Sequence, residues 1–204
     1  IANIAMGLGK YIVDGGQTLR FSPKKKKKVL QTSSPELALK ETQSQFYALD
    51  LSPGSFEPDV DDSANLLYLR VKEAEKDSAF KFVASTFDFN SNIIRDGIGY
   101  EGKKLITFNN VLKHNTFPLA GILREFLRIG QREMGKPVEI EFAVELNVPK
   151  NVLKTFYILQ IRPIVDNKET ITKDISNVPE KDTVVWCNAA LGNGIIEDIR
   201  DVVY

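Results

Sequence analysis

Residues 137–163, PVEIEFAVELNVPKNVLKTFYILQIRP, constrain the fold more than any other stretch. Val138, Ile140, Phe142 and Val144 alternate with Glu139, Glu141, Ala143 and Glu145, the period-2 pattern of a strand with one apolar and one acidic face. Three carboxylates then point the same way. Residues 155–161 are rich in aromatic and branched side chains and read as a second strand, with Gln160 and Arg162 on a common side. Pairing the two runs antiparallel around residues 147–154, with Glu141 opposite Gln160, sets Glu139 opposite Arg162.

Two carboxylates about 7 Å apart along one strand, facing an amide oxygen and a guanidinium across about 5 Å, form a cluster of hard oxygen donors beside a fixed cation. That chemistry suits magnesium, which takes one or two protein carboxylates and fills its octahedron with water and substrate phosphates. Arginine adds the planar fork that grips a phosphate. The same residues also suit the wet face of an ordinary hairpin, with Glu139 and Arg162 as a cross-strand ion pair.

Length and charge narrow the function classes. The chain has 204 residues, enough for one large domain or two small ones. Lys plus Arg and Asp plus Glu are 27 each, so no global field favours nucleic acid or an anionic membrane, and binding has to come from a local site. Cys187 is the single cysteine, which excludes an internal disulfide and agrees with a reducing, cytoplasmic setting. No run of some 18 apolar residues is present. The chain opens on Ile1-Ala2-Asn3-Ile4-Ala5, an apolar strand already under way, which reads as a piece of a longer polypeptide.

The remaining elements fall in order. Gly7 and Gly9 mark a tight corner after the first strand. Residues 17–31 alternate loosely around Lys24 to Lys28, five consecutive lysines that belong in water, most simply in a loop between two strands. Without interleaved aromatics or a wider basic face, a polybasic nucleic-acid or lipid patch is the less favoured assignment. Ser34, Pro35 and Glu36 start a helix running to about Ser44. Residues 51–63 are loop, and the acidic run Asp59, Asp61, Asp62 lacks the glycine and distal Glu of a calcium loop. Strands follow over 65–71, 79–89 and 104–108, with turns at Asp96-Gly97 and Glu101-Gly102. Residues 117–134 form the clearest helix, ended by Gly135, and its apolar stripe should pack on the hairpin. His114, the only histidine, takes a surface or capping role.

Glu139-Ile140-Glu141-Phe142 followed by Leu159-Gln160-Ile161-Arg162-Pro163 resembles the end of the ATP-grasp nucleotide-binding domain of phosphoenolpyruvate synthase and pyruvate, phosphate dikinase. Residues 1–16 resemble that family's strand and Gly-x-Gly corner, and residues 119–136 its helix before the first hairpin strand. The resemblance implies a metal held by Glu141 and Gln160 with Glu139 in support. It implies Arg162 on phosphate as the catalytic contact, and Gly7 and Gly9 beside the nucleotide. Lys10 stands where the family has an acid, so no catalytic role is carried over to it.

The fold so implied is α+β, a mixed and largely antiparallel sheet with packed helices, as the C-terminal portion of an ATP-grasp domain over residues 1–165. A linker over 166–182 and the start of a swivelling phosphohistidine domain over 183–204 would follow. The implied parent enzyme converts ATP, pyruvate and water to phosphoenolpyruvate, AMP and phosphate, using Mg2+. Its N-terminal lobe, phosphohistidine motif and pyruvate-binding barrel are not in this sequence, so the chain alone should be inactive. Three alternatives stay open: the same machinery acting on another acceptor, a degraded ATP-grasp domain serving as a regulatory module, and an unrelated polybasic binding domain.

Overall fold

The computed structural model describes residues 1–52 and 65–164, with residues 179, 181 and 183. The chain divides into two units, Ile1–Pro163 and Ile164–Tyr204. The expected linker and swivelling-domain segment, Cys187 and the acidic run 59–62 lie almost wholly outside the described residues.

β1 (Ala2–Ile4) pairs antiparallel with β2 (Leu19–Phe21), and Ile4, Leu19 and Phe21 are buried between the pair and the core. A single helical turn, α1 (Lys10–Val13), lies between them. The lysine run leaves β2 through tight turns, with Lys25 N donating to Ser22 O and Lys28 N to Lys25 O at 2.9 Å each. It leads to a 3-10 turn, Leu30–Thr32, and not to the expected second strand. The reason is local. The Gln31 side chain accepts from Arg20 N (2.7 Å) and donates to Thr18 O (2.8 Å), occupying β2 edge groups that a strand would have used.

α2 (Pro35–Glu41) starts as expected, with Ser34 Oγ accepting from Leu37 N at 3.3 Å. It stops three residues short of Ser44 because Thr42 turns extended and Gln43 is drawn inward. Gln43 receives Met6 N on Oε1 and gives Nε2 to Met6 O, both at 2.8 Å. β3 (Gln45–Leu49) then pairs antiparallel with β4 (Leu66–Arg70), setting Tyr47 opposite Tyr68.

Two 3-10 turns, Val71–Lys76 and Phe80–Phe82, delay the strand expected from residue 79, and β5 spans only Ala84–Asp88. It is the centre of a three-stranded antiparallel sheet with β6 (Ile93–Asp96) and β7 (Lys103–Ile106) on either side. A short α3 (Asn109–Leu112) and the long α4 (Leu119–Met134) follow, with Gly135 in the left-handed region closing α4. The chain then forms the hairpin of β8 (Val138–Glu145) and β9 (Thr155–Pro163).

The larger of two buried clusters joins most of these pieces, while Ala38 of α2 packs in a second one with Phe87 and Leu105. Phe80, Ile106 and Leu112 are essentially fully buried, and Phe142, Val144 and Phe156 of the hairpin pack against the same cluster. α4 docks on the hairpin as its stripe requires. Phe126 stacks on Phe156 (5.5 Å, 8°), which stacks on Phe142 (5.2 Å, 16°), and Gly130 lets the helix approach Val138 and Ile161.

The class is therefore α+β, but the expectation of one mixed sheet is corrected. Every pairing among the described residues is antiparallel, and the strands form four separate small sheets. Parallel pairing needs a long crossover, whereas β5–β6 and β8–β9 close through short loops. Among the described residues no helix is long and apolar enough to cross a membrane.

Candidate functional site

The hairpin adopts the register supposed from the sequence. Glu139 lies opposite Arg162 and Glu141 opposite Gln160. One residue further on, Phe142 pairs with Ile158, so Leu159 is an extra residue, a bulge in β9. The bulge changes which residues share a face. In an unbroken β9, Gln160 and Arg162 would lie on the side of Phe156 and Ile158. With Leu159 inserted they join Thr155 and Tyr157 opposite Glu139, Glu141, Ala143 and Glu145, and the polar groups collect on one exposed face.

Arg162 Nε donates to Glu139 Oε1 in a pair whose side chains are about half exposed. Glu141 and Gln160 make no side-chain hydrogen bond among the described residues. The donor set is two carboxylates and an amide oxygen. It is not a three-acid cage, and among the described residues no group of three or more His, Cys, Asp or Glu is placed to hold a metal ion. Its hard oxygens fit a cation that keeps several waters, as magnesium does.

A cavity of about 640 Å³ adjoins this cluster. Ala143, Glu145 and Leu159 of the hairpin line one side, with Phe142 and Val144. Residues 3–9, carrying Gly7 and Gly9, line another, and Phe46, Phe80 and Phe108 form an apolar wall. Of the sequence-predicted site residues, Gly7 and Gly9 thus line the cavity. Glu139, Glu141, Gln160 and Arg162 themselves are not in its lining; they stand beside it, on the face that Ala143 and Glu145 extend into it.

The two glycines differ in what they do. Gly7 has φ +95°, and a Cβ there would meet Tyr47 O at 2.7 Å, so its freedom serves the close approach to β3 that lets Leu8 N donate to Tyr47 O at 3.0 Å. Gly9 has ordinary helical angles and open space around it. Lys10 does not line the cavity; its Nζ lies 3.4 Å from Asp14 Oδ1. Asp14 Oδ2 in turn accepts from the Tyr47 hydroxyl at 3.0 Å, which pushes the Tyr47 phenol pKa up.

His114 is exposed, and its Nε2 lies 2.7 Å from Asp96 Oδ2. Asp96 Oδ1 accepts from Asn109 Nδ2 at 2.6 Å, and Ser85 and Thr107 share a buried hydroxyl contact of 2.5 Å behind Asn109. Burial pushes the Asp96 carboxyl up, but the hydrogen bonds from His114 and Asn109 and the charge of Lys113 outweigh it and hold the pKa below the usual value.

No family model matches the chain, and neither the curated proteins nor the solved structures give a match. Sequence reasoning did not find Phe108, a cavity-wall residue with φ +53°, or the tyrosine cluster in which Tyr47 and Tyr68 rings lie 4.7 Å apart. Nothing in the local pattern marks a left-handed Phe. The tyrosine pair follows from β3, whose four apolar residues, Phe46 to Leu49, have no periodicity of their own.

Proposed function

We propose that this chain supplies the magnesium-nucleotide side of a phosphotransfer site of the phosphoenolpyruvate synthase type. One observation carries the proposal: the Leu159 bulge puts Gln160 and Arg162 on the same face as Glu139 and Glu141, beside a cavity that Gly7 and Gly9 line. Glu141 and Gln160 would hold the cation through a carboxylate and an amide oxygen. Arg162 would bind phosphate oxygens, with Glu139 orienting its guanidinium and supporting the cation. Bound magnesium would neutralise charge on the transferring phosphoryl group. The apolar wall of the cavity suits a flat heterocycle, and the exposed polar face suits the phosphates. The parent reaction, ATP with pyruvate and water giving phosphoenolpyruvate, AMP and phosphate, belongs to this proposal, as do the ATP-grasp fold and the missing lobes.

Lys10, tied to Asp14 where the family has an acid facing the nucleotide, favours a second assignment: a degraded domain that keeps the fold without the chemistry. One experiment separates them. Manganese with ATP, as a paramagnetic stand-in for magnesium, should broaden the amide resonances of residues 139–145 and 158–162, and Glu141→Ala should abolish the broadening. Absence of broadening in the unaltered chain, or broadening centred elsewhere, would reject the magnesium-nucleotide site.

A further inference from the structure

Lys24 to Lys28 gain company in the fold from three distant parts of the chain. Lys26 Nζ donates to Asn115 Oδ1 (2.5 Å) and Lys154 Nζ to Thr116 O (3.0 Å), so the lysine run and the tip of the β8–β9 hairpin meet at consecutive residues of one loop. Lys113 is exposed in the same loop. The ammonium groups of Lys81 and Lys154 lie 5.2 and 5.3 Å from the centre of the Phe82 ring. Among the described residues none of these lysines forms an ion pair. Net charge is zero over the chain, but lysines from four segments gather here, with Asp96 the carboxylate that feels the charge of Lys113.

Two large aliphatic side chains close to these lysines in sequence stand in water. Leu30, two residues past the run, is 83% exposed, and Leu153, immediately before Lys154, is 89% exposed. We propose that this face docks on a lipid surface carrying anionic headgroups, with the lysines in the headgroup field and Leu30 and Leu153 entering the interfacial layer. The chemistry favours a bilayer over nucleic acid. The Phe82 ring is engaged by two ammonium groups and is not a free stacking platform. The cationic side chains that meet here are lysines, which give diffuse point charge without the bidentate fork of base or phosphate readout. Exposed leucine gains free energy in a headgroup layer and gains nothing against a phosphate backbone. This surface lies at the loop end of the hairpin, away from Glu141 and Gln160, and is independent of the nucleotide proposal.

The test is co-sedimentation of the whole chain with phosphatidylcholine vesicles, with and without phosphatidylserine, at low and high salt, with single-stranded RNA as the competing occupant. Binding should require phosphatidylserine and weaken with salt. Each surface lysine is worth roughly fivefold in affinity, so Lys81→Gln with Lys113→Gln should weaken vesicle binding by about tenfold or more. Leu30→Ser with Leu153→Ser should weaken it several-fold and leave RNA binding unchanged. Three results would overturn the proposal: no preference for anionic vesicles, RNA binding at lower protein concentration than vesicle binding, or no effect of the Lys81 and Lys113 substitutions in variants whose circular dichroism is unchanged.

Discussion

A methyl group placed on Gly130 of α4 would come within 2.8 Å of Val138 Cγ2 in β8 and 2.7 Å of Ile161 Cδ1 in β9. The missing side chain is what lets the longest helix lie directly on both strands of the hairpin, behind the polar face. Ile161 can swing its terminal carbon away, but the branched Val138 cannot yield without moving the strand. Gly130→Ala should therefore lower stability by about 1–2 kcal/mol, overpacking outweighing the helix propensity that alanine adds. Urea unfolding midpoints of the two proteins check this.

Gly7 and Gly9 separate structure from ligand approach. Gly7→Ala forces a side chain into left-handed backbone against Tyr47 O and should cost about 1–3 kcal/mol. Gly9→Ala has both the angles and the space for a methyl group, so stability should hold or rise by a few tenths of a kcal/mol. If nucleotide lies along the corner, Gly9→Ala weakens nucleotide binding while thermal unfolding is unchanged. Unaltered nucleotide binding in that variant would remove Gly9 from the site.

Glu141 is exposed and unpaired, so Glu141→Gln should change stability by less than about 0.5 kcal/mol. The same substitution should abolish manganese-dependent broadening at residues 139–145. Glu139→Gln releases Arg162 from its ion pair and should leave weaker, not absent, broadening. Equal losses in both variants would mean that Glu139 ligates the cation directly.

Asp96 gives the fold an acid-sensitive point. Its carboxyl pKa is depressed in the folded protein, so the stabilisation is complete above the unfolded value of about 3.9 and is lost as pH falls through the folded value. Stability measured from pH 5 to pH 2 should fall less steeply in Asp96→Asn than in the unaltered chain. Parallel curves would show that the contact with His114 and Asn109 has no bearing on acid unfolding.

What the sequence made legible was whatever a short-range physical rule controls. The Ser34 cap, the Gly135 stop and the amphipathic stripe of α4 all follow from periodicity and capping over a few residues. β3, β6, α1 and α3 did not, because each is five residues or fewer and is held by partners far away, as Met6 and Gln43 hold the turn before β3. The bulge did leave a mark. Phe156, Tyr157, Ile158 and Leu159 run apolar without alternation before Gln160, Ile161 and Arg162 alternate, and a lapse of alternation within one strand is where an inserted residue can sit. The cavity between residues 3–9 and the hairpin had no such trace, since it exists only once these two segments share one core.

Leu159 is an added length of chain more than a side chain. It is 63% exposed and pairs with nothing on β8. Deleting it would leave Ile158 followed directly by Gln160, a regular alternation in which Gln160 and Arg162 keep the face they now occupy. Deleting Ile161 instead would let the strand run on from Leu159 and turn Gln160 towards the helix. The hairpin is thus open to a change of length at one point and closed to it two residues later, and homologous sequences aligned over this strand should place their gap at Leu159.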